Sequence, residues 1–375
     1  MKLEQKRILD LTYTFSGVLW YYTMLLGKHL GLSLNINKSE VHSTKEDIQK
    51  GLAYSRSVSY FDVDLSSSGT TGNPTTVYAS PLHWVSEQAA QYQYFKENDY
   101  SFRDKMVLVR SYSPKKGEPI FRKDKLRNFI YISPFHLTEE SLTTIIPLLQ
   151  GRYFLRGYPS SLEILAKLLQ NNTEYDMPVS IFTASETLAV NQRRLIEKEF
   201  NARIYDWYGT SEPSVLLFQT KKSYPKYITP NFHCKIKLIQ EDNRKIIYGK
   251  ANWDRLSNLG YYKTNDVAEV DKGGDIIKIS GRKSDIITVG KISVPITNFL
   301  TAFYNISGIL KFQIINNKCD VDFRFVLKIN DCNETTAKIN NAISSRLSEV
   351  DYTITLNKPL KKSSGGKTPF FVKTL

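Results

Sequence analysis

Cysteine is scarce. The three thiols, Cys234, Cys319 and Cys332, form no CxxC pair, and any disulfide scheme leaves one over. That excludes a disulfide scaffold and fits thiols kept reduced in a cytoplasm. The five histidines (His29, His42, His83, His136 and His233) show no HxxxH spacing and no Cys/His cluster, which speaks against a zinc site. Like charges never run longer than two, as at Lys115-Lys116 and Lys361-Lys362. A dedicated polyanion track is therefore not expected, and no nucleic acid is expected as a partner. The opening MKLEQKR lacks the charge–apolar–small pattern of a secretion signal. The charge-free stretch Leu11 to Gly27 is interrupted by Thr12, Thr14, Ser16, Gly17 and Thr23. It falls short of the roughly 20 apolar residues that cross a bilayer. The expectation is a buried or amphipathic helix in a cytoplasmic protein with no transmembrane segment.

What is present is ample for a folded core. The chain has 375 residues, of which 41% are hydrophobic and 12% aromatic, so two domains, one larger, are expected. Basic residues outnumber acidic ones 51 to 37, a formal charge of +14 that favours anionic partners such as nucleotides, coenzyme A or acidic carrier proteins. Ser43-Thr44-Lys45-Glu46 reads as a helix start with Ser43 as the cap and Glu46 as its reciprocal partner. Tyr60–Leu65 reads as a strand running into Ser66–Pro74, which contains only Ser, Gly, Thr, Asn and Pro and cannot be a regular element. Strands at 105–110, 179–183 and 202–207 alternate with helices at 141–149, 161–169 and 192–200. That is the signature of an α/β domain with largely parallel sheet. Short strands dominate from about residue 230. Past Gly281 a smaller α+β unit follows, with strands at 309–316, 321–329 and 352–356 and a helix at 335–347.

The chemistry lies in five ordered segments. A Ser/Thr/Gly loop offers backbone N–H groups and hydroxyls to an anion. The loop at 66–75 lacks the Gly-Lys-Ser/Thr ending of a Walker loop, which disfavours a P-loop NTPase. Taken with Asp206-Trp207-Tyr208-Gly209-Thr210-Ser211-Glu212, Tyr262–Asp266, Gly281–Asp285 and Ser364-Gly365-Gly366-Lys367, it resembles the adenylate-forming superfamily of acyl-CoA synthetases, luciferases and nonribosomal-peptide adenylation domains. Asn73-Pro74-Thr75, Arg156–Ser160 and Phe182–Thr187 make the chain most similar to the phenylacetate–CoA ligase, capsule-biosynthesis and acyl-protein-synthetase branch. The resemblance covers roughly residues 40–370.

It implies an α/β fold: a large N-terminal domain (1–281) with mixed and parallel sheets and flanking helices, and a small mobile α+β C-terminal domain (282–375). It also implies an AMP-forming carboxylate ligase. ATP and a carboxylic acid give an acyl-AMP and pyrophosphate, and the acyl group then passes to a thiol of coenzyme A or a carrier protein. Alternatives are an amine or hydroxyl acceptor, as in surface-polysaccharide biosynthesis, or an inactive nucleotide-binding subunit. By the same resemblance Ser67, Ser68, Gly69, Thr70, Thr71 and Gly72 cradle the phosphates. Ala184, Ser185 and Glu186 line the purine pocket, joined by Asp206, Trp207, Tyr208, Gly209 and Thr210, with Tyr208 on the adenine ring. Asp266 holds the ribose hydroxyls, helped by Arg282, and Glu212 holds Mg²⁺. Lys367, with Thr71 and Glu212, takes the catalytic part, and a hinge at Lys283-Ser284 swings the lysine in and out. Tyr158, Pro159, Ser160 and His233 border the acid, and a homodimer is the assembly this branch suggests. The chain departs from the pattern at Asn265, where Gly is usual but Asn tolerates similar angles. It also departs at Tyr261 in place of Arg, at Ser284 in the hinge, and in having no Arg after Lys367.

Overall fold

The structure is a computed structural model. It describes residues 14–23, 42–49, 62–65, 77–253 (except 111, 113, 116, 135 and 171), 256, 259–282, 286–289, 292–295, 303, 306, 309–316, 323–329, 333–344, 352–359 and 371–373. Two compact units divide the chain, residues 1–67 with 76–279 and residues 68–75 with 280–375.

The first unit runs α1 (Pro81–Lys96), β1 (Met106–Val109), β2 (Phe121–Asp124), β3 (Phe129–Ile132), α2 (Leu142–Ile145), β4 (Phe154–Gly157), α3 (Pro159–Leu169), β5 (Ile181–Ala184), α4 (Val190–Glu199), β6 (Ile204–Gly209), β7 (Leu216–Gln219) and β8 (Tyr227–Ile228). The strands form one sheet in the order β8-β7-β6-β5-β4-β1-β3-β2. Its centre, β3 to β6, is parallel, and antiparallel strands close both edges. The strand order turns about β1, with β3 on one side and β4 on the other. The carboxyl ends of such neighbours are where open α/β sheets bind ligands.

Alternation along each strand builds two cores. Val107, Val109, Leu155, Ile181 and Ile204 point to one face and pack on Leu162, Leu165, Leu169 and Ile196 of α3 and α4. Met106, Leu108, Phe154, Phe182 and Trp207 point to the other and pack on Ala90, Tyr94 and Phe95 of α1. Each fully buried aliphatic or aromatic side chain stabilises by about 1.5–3 kcal/mol. Gly157 lets β4 meet α3, because a Cβ there would lie 2.8 Å from Leu162 Cδ2 and 3.1 Å from the Val109 carbonyl.

The same unit carries a second sheet of β9 (Cys234–Glu241), β10 (Arg244–Ala251), β11 (Tyr261–Val270) and β12 (Ile276–Arg282). β11 pairs with β10, with β12 and with the short strand His42–Ser43, and β9 lies beyond β10. Asp242 and Asn243, both at positive φ, make the β9–β10 hairpin turn.

The second unit has its own sheet, in the order Tyr352–Leu356, Phe323–Ile329, Ile309–Asn316, Phe371–Lys373, with a helix over Asn333–Ser344. Phe303 sits edge-on to Phe312 at 4.7 Å and to Phe325 at 6.1 Å. A two-stranded ladder joins Ile286–Val289 to Ile292–Pro295.

Most expected elements are present within a few residues, and the mixed α/β class is the one expected from sequence. Three details differ. The cap at the short helix Lys45–Gln49 is Thr44, not Ser43: Thr44 N and Oγ1 both donate to Asp47 Oδ2, at 2.7 and 2.8 Å. Ser43 instead donates to the Leu259 carbonyl at 2.5 Å as part of a strand. The helix expected over 141–149 is α2 followed by a 3₁₀ turn, Ile146–Leu149, because Pro147 brings no N–H to continue the α ladder. Finally, α1 was not foreseen, since it buries His83, Ser86, Tyr92 and Tyr94 along with its alanines and so shows no clean apolar stripe.

Candidate active site

Tyr208 closes the central parallel run of the first sheet at the end of β6, and Asp266 lies on β11 of the second. Their side chains meet: the Tyr208 hydroxyl donates to Asp266 Oδ2 at 2.5 Å. Burial, then the Asp266 charge and its hydrogen bond, hold the phenol well above its ordinary value, so it stays protonated and donates. The negative field of Glu212 adds a smaller push in the same direction. Glu212 is buried, 6% exposed, in a turn closed by the Thr210 and Ser214 hydroxyls on its carbonyl at 2.7 and 3.3 Å. The aromatic ring and one of the acidic groups expected at a nucleotide therefore meet within the first unit, and the charge of the other acts on the same phenol.

The backbone aims Asp266. Asn265 adopts φ +63°, the left-handed conformation that Gly or Asn supplies. The Asp266 N–H then donates to Thr264 Oγ1, which itself donates to the Ile247 carbonyl, at 3.0 and 2.8 Å. The expectation that Asn serves at this position agrees with the geometry. Ser185, also at positive φ (+72°), follows β5, and Glu186 accepts the Ser160 N–H at the start of α3 at 3.2 Å. The Ala184–Glu186 segment and Ser160 thus meet at the carboxyl ends of β4 and β5.

Other expected site residues have different company. Asp206 is enclosed, accepting from Thr183 Oγ1 at 2.5 Å and from the Tyr227 hydroxyl at 2.6 Å. Burial raises its carboxyl even though those two hydroxyls stabilise the charge. Trp207 points the opposite way, stacked on Phe218 at 5.7 Å and packed on Tyr94. Both build the sheet that presents Tyr208. Gly209 leaves little room, since a Cβ would approach Trp207 Nε1 to 3.3 Å. Ser67, Ser68, Gly69, Thr70, Thr71, Gly72 and Lys367, and the hinge residues Lys283 and Ser284, lie outside the described residues, as does the Arg282 side chain.

The fold also assembles residues that sequence reasoning missed. A cavity of about 220 Å³ opens between α1 and the β1–β4 face, lined among others by Gln88, Gln91, Tyr92, Arg110, Tyr131 and Arg156. One lining residue, Arg110, also lies over the ring of Tyr158, which precedes α3, at 5.1 Å. Burial, then the neighbouring Arg110 charge, pushes the Arg156 guanidinium down to about 9. A guanidinium keeps its proton at neutral pH, so the physical content is a site short of negative charge.

The histidines scattered in sequence are not all scattered in space. His83 and His233 lie with ring centroids 4.8 Å apart, 1% and 2% exposed, with Glu87 beside them. Sequence spacing speaks against a zinc site, yet the fold brings two of the five histidines and a carboxylate together. Burial, then His83, holds His233 well below the ordinary histidine value, and partial burial lifts Glu87 to about 7.

Among solved structures, the chain is similar to a 2-hydroxyisobutyryl-CoA ligase in the postadenylation state with R3-HIB-AMP. The TM-score is 0.54 at 13% identity, over 98% of this chain and 88% of that one. This chain shares the fold of that ligase. It is also similar to ATP-bound MatB from Rhodopseudomonas palustris, with a TM-score of 0.46 and 13% identity, covering 82% of this chain and 66% of MatB. The chain thus spans just under two thirds of the length of MatB. Protein CapK of Staphylococcus aureus is 25% identical over 383 residues, 94% of this chain and 83% of CapK. No protein-family model matches. No helix among the described residues is long and apolar enough to cross a membrane.

Proposed function

We propose that this chain activates a carboxylic acid as its acyl-adenylate and passes the acyl group to a thiol, on coenzyme A or a carrier protein. The observation that carries the reading is the direct contact of Tyr208 with Asp266, with the Glu212 charge acting on the same phenol, on a ligase fold. The carboxylate oxygen of the acid bonds to the α-phosphorus of ATP while the bond to the bridging oxygen breaks, releasing pyrophosphate. The thiol sulfur then takes the acyl carbon and AMP leaves.

Asp266 accepts the ribose hydroxyls, since a carboxylate offers about four lone-pair sites. The Tyr208 ring supports the base. Ser67 to Gly72 receive the phosphates, with Thr71 and Lys367 placed against the α-phosphate, where fixed donors and a positive charge stabilise the charge that builds during transfer. Arg282 assists at the ribose. Glu212, a buried carboxylate, suits a hard cation; it would hold Mg²⁺, which when bound offsets phosphate charge. The acid lies along Tyr158, Pro159 and Ser160 with its remainder in the Arg110–Arg156 cavity, which favours acids whose far end is negative or strongly polar. The segment past residue 281 is the mobile lid that carries Lys367.

The test is acid-dependent exchange of labelled pyrophosphate into ATP across a panel of acids with Mg²⁺. Exchange that disappears in Lys367→Ala and in Asp266→Ala supports the proposal. A wild-type chain that fails to bind ATP refutes it.

A further inference from the structure

His83 and Glu87 stand four residues apart on α1 and so share one face of that helix. His233 reaches them from the turn before β9, although Ser86 and His233 are 147 positions apart in sequence. That turn is fixed at both ends, by His233 N donating to the Pro230 carbonyl at 2.7 Å and by Asn252 N donating to the His233 carbonyl at 2.9 Å. The three side chains each bring one ligand atom within 4.8 Å of the others. His83 Nε2 lies 3.7 Å from Glu87 Oε2, and the Glu87 side chain is 27% exposed, which gives the pocket an entry from solvent.

Ser86 sets the protonation of His233. Its single hydroxyl hydrogen goes to the His83 carbonyl at 2.9 Å, so its contact with His233 Nδ1 at 2.7 Å is satisfied when Nδ1 carries the proton and donates. That tautomer leaves the Nε2 lone pair for a ligand. An imidazole whose other nitrogen is held by a hydrogen-bond partner is the arrangement metal sites use. The neighbouring Cys234 is not part of the group, because its thiol is turned to the Leu216 carbonyl at 3.4 Å.

We propose that His83, Glu87 and His233 form a site for a zinc-type divalent ion, bound by two imidazole nitrogens and one carboxylate oxygen. Around a tetrahedral ion with bonds of about 2.0–2.2 Å, neighbouring donors lie about 3.4 Å apart. The His83–Glu87 pair is close to that spacing, and modest side-chain rotation closes the rest. Imidazole donors select zinc, cobalt or nickel over the hard cations that suit an all-oxygen site such as Glu212. The ion would staple α1, which lines the Arg110–Arg156 cavity through Gln88, Gln91 and Tyr92, to the turn that starts the second sheet. This assigns His233 a role apart from the acid.

The test uses the full chain, free of any affinity tag, stripped with chelator and titrated with Co²⁺ in excess Mg²⁺. The expected result is one equivalent bound with the intense visible bands of tetrahedral cobalt, displaced by Zn²⁺. Ser86→Ala, which leaves all three ligands in place, should weaken binding about 10–100-fold. His83→Gln and Glu87→Gln should abolish the bands with an unchanged far-ultraviolet circular dichroism spectrum. The proposal is overturned if the wild-type chain retains no Co²⁺ or Zn²⁺, or if a His83→Gln/His233→Gln double variant retains as much as wild type.

Discussion

The Tyr208–Asp266 bond can be separated from nucleotide binding by a double-mutant cycle. Tyr208→Phe keeps the ring and deletes only the donor; Asp266→Ala deletes the acceptor. A hydrogen bond to a charged group contributes about 1.5–3 kcal/mol, and the 2.5 Å separation puts this one among charge-assisted bonds. Each single variant should lose about that much in urea unfolding. The double variant should fall short of the summed losses by at least 1.5 kcal/mol, because the second deletion finds no partner left to strand. ATP binding should split the pair the other way. The Phe ring still supports the base, so Tyr208→Phe changes affinity little. Asp266→Ala removes two ribose contacts, about 3 kcal/mol together, or on the order of 100-fold in Kd. Additive unfolding losses, within about 0.5 kcal/mol, would show that the contact does no stabilising work. Equal losses of ATP affinity in the two variants would refute the division of roles.

Three further outcomes follow from the packing and charge. Gly249→Ala should lower the thermal midpoint by several degrees, since its Cβ would fall 2.8 Å from the Ser214 carbonyl and into the Val215 side chain, an overpacking cost of about 1–3 kcal/mol; an unchanged melt would contradict this. Burial alone would raise the Asp124 carboxyl, but Arg127, bonded at 2.7 and 2.9 Å, pulls it below its ordinary value. A depressed folded value means stability that is present above about pH 4 and lost as pH falls through it, so Asp124→Asn should be less stable than wild type at pH 6 by about 2 kcal/mol, with the gap closing in acid. A gap that persists at pH 2 would show it is not electrostatic. Arg156→Met should reduce pyrophosphate exchange with acids bearing a second negative group by at least tenfold and spare those with plain alkyl chains, since a lost charge-assisted bond is about 1.5–3 kcal/mol. Equal losses for both classes would remove the cavity from acid selection.

Which parts were legible in the sequence follows from the range of the interactions. β1 and β5 announce themselves because all four residues of each are buried and most of them are apolar. The Tyr208, Glu212 and Asp266 segments were legible as motifs, each a short run around one chemistry. α1 was invisible because its buried face is built from His83, Ser86 and Tyr94, whose burial depends on partners far away: Tyr94 donates to the Tyr205 carbonyl and Ser86 meets His233. Asp206 and Trp207 stand beside Tyr208 in sequence but have different partners in the fold. Strand alternation turns Trp207 into the opposite core, and Thr183 and Tyr227 enclose Asp206. The His83–Glu87–His233 group could not be read from spacing, because spacing finds ligands on one element and this group spans two.

The two strained positions point the same way. Among the described residues, most non-glycine residues at positive φ are Asn or Asp, whose side chains tolerate that conformation. Arg103, in a turn, and Ser185 lack that excuse, and Asn265 stands inside a strand, where such a twist interrupts regular pairing; Ser185 and Asn265 bear on the candidate site. Each immediately precedes a carboxylate the candidate site uses: Glu186, which caps the Ser160 N–H, and Asp266, which meets Tyr208. A backbone cost of about 1–3 kcal/mol at each persists only where surrounding structure enforces it. Here the enforcement comes from the Thr264 and Ile247 bonds on one side and the β5–α3 junction on the other. Turning the chain out of its regular path at those two points is what aims both acidic side chains, and a regular strand through either would point them elsewhere.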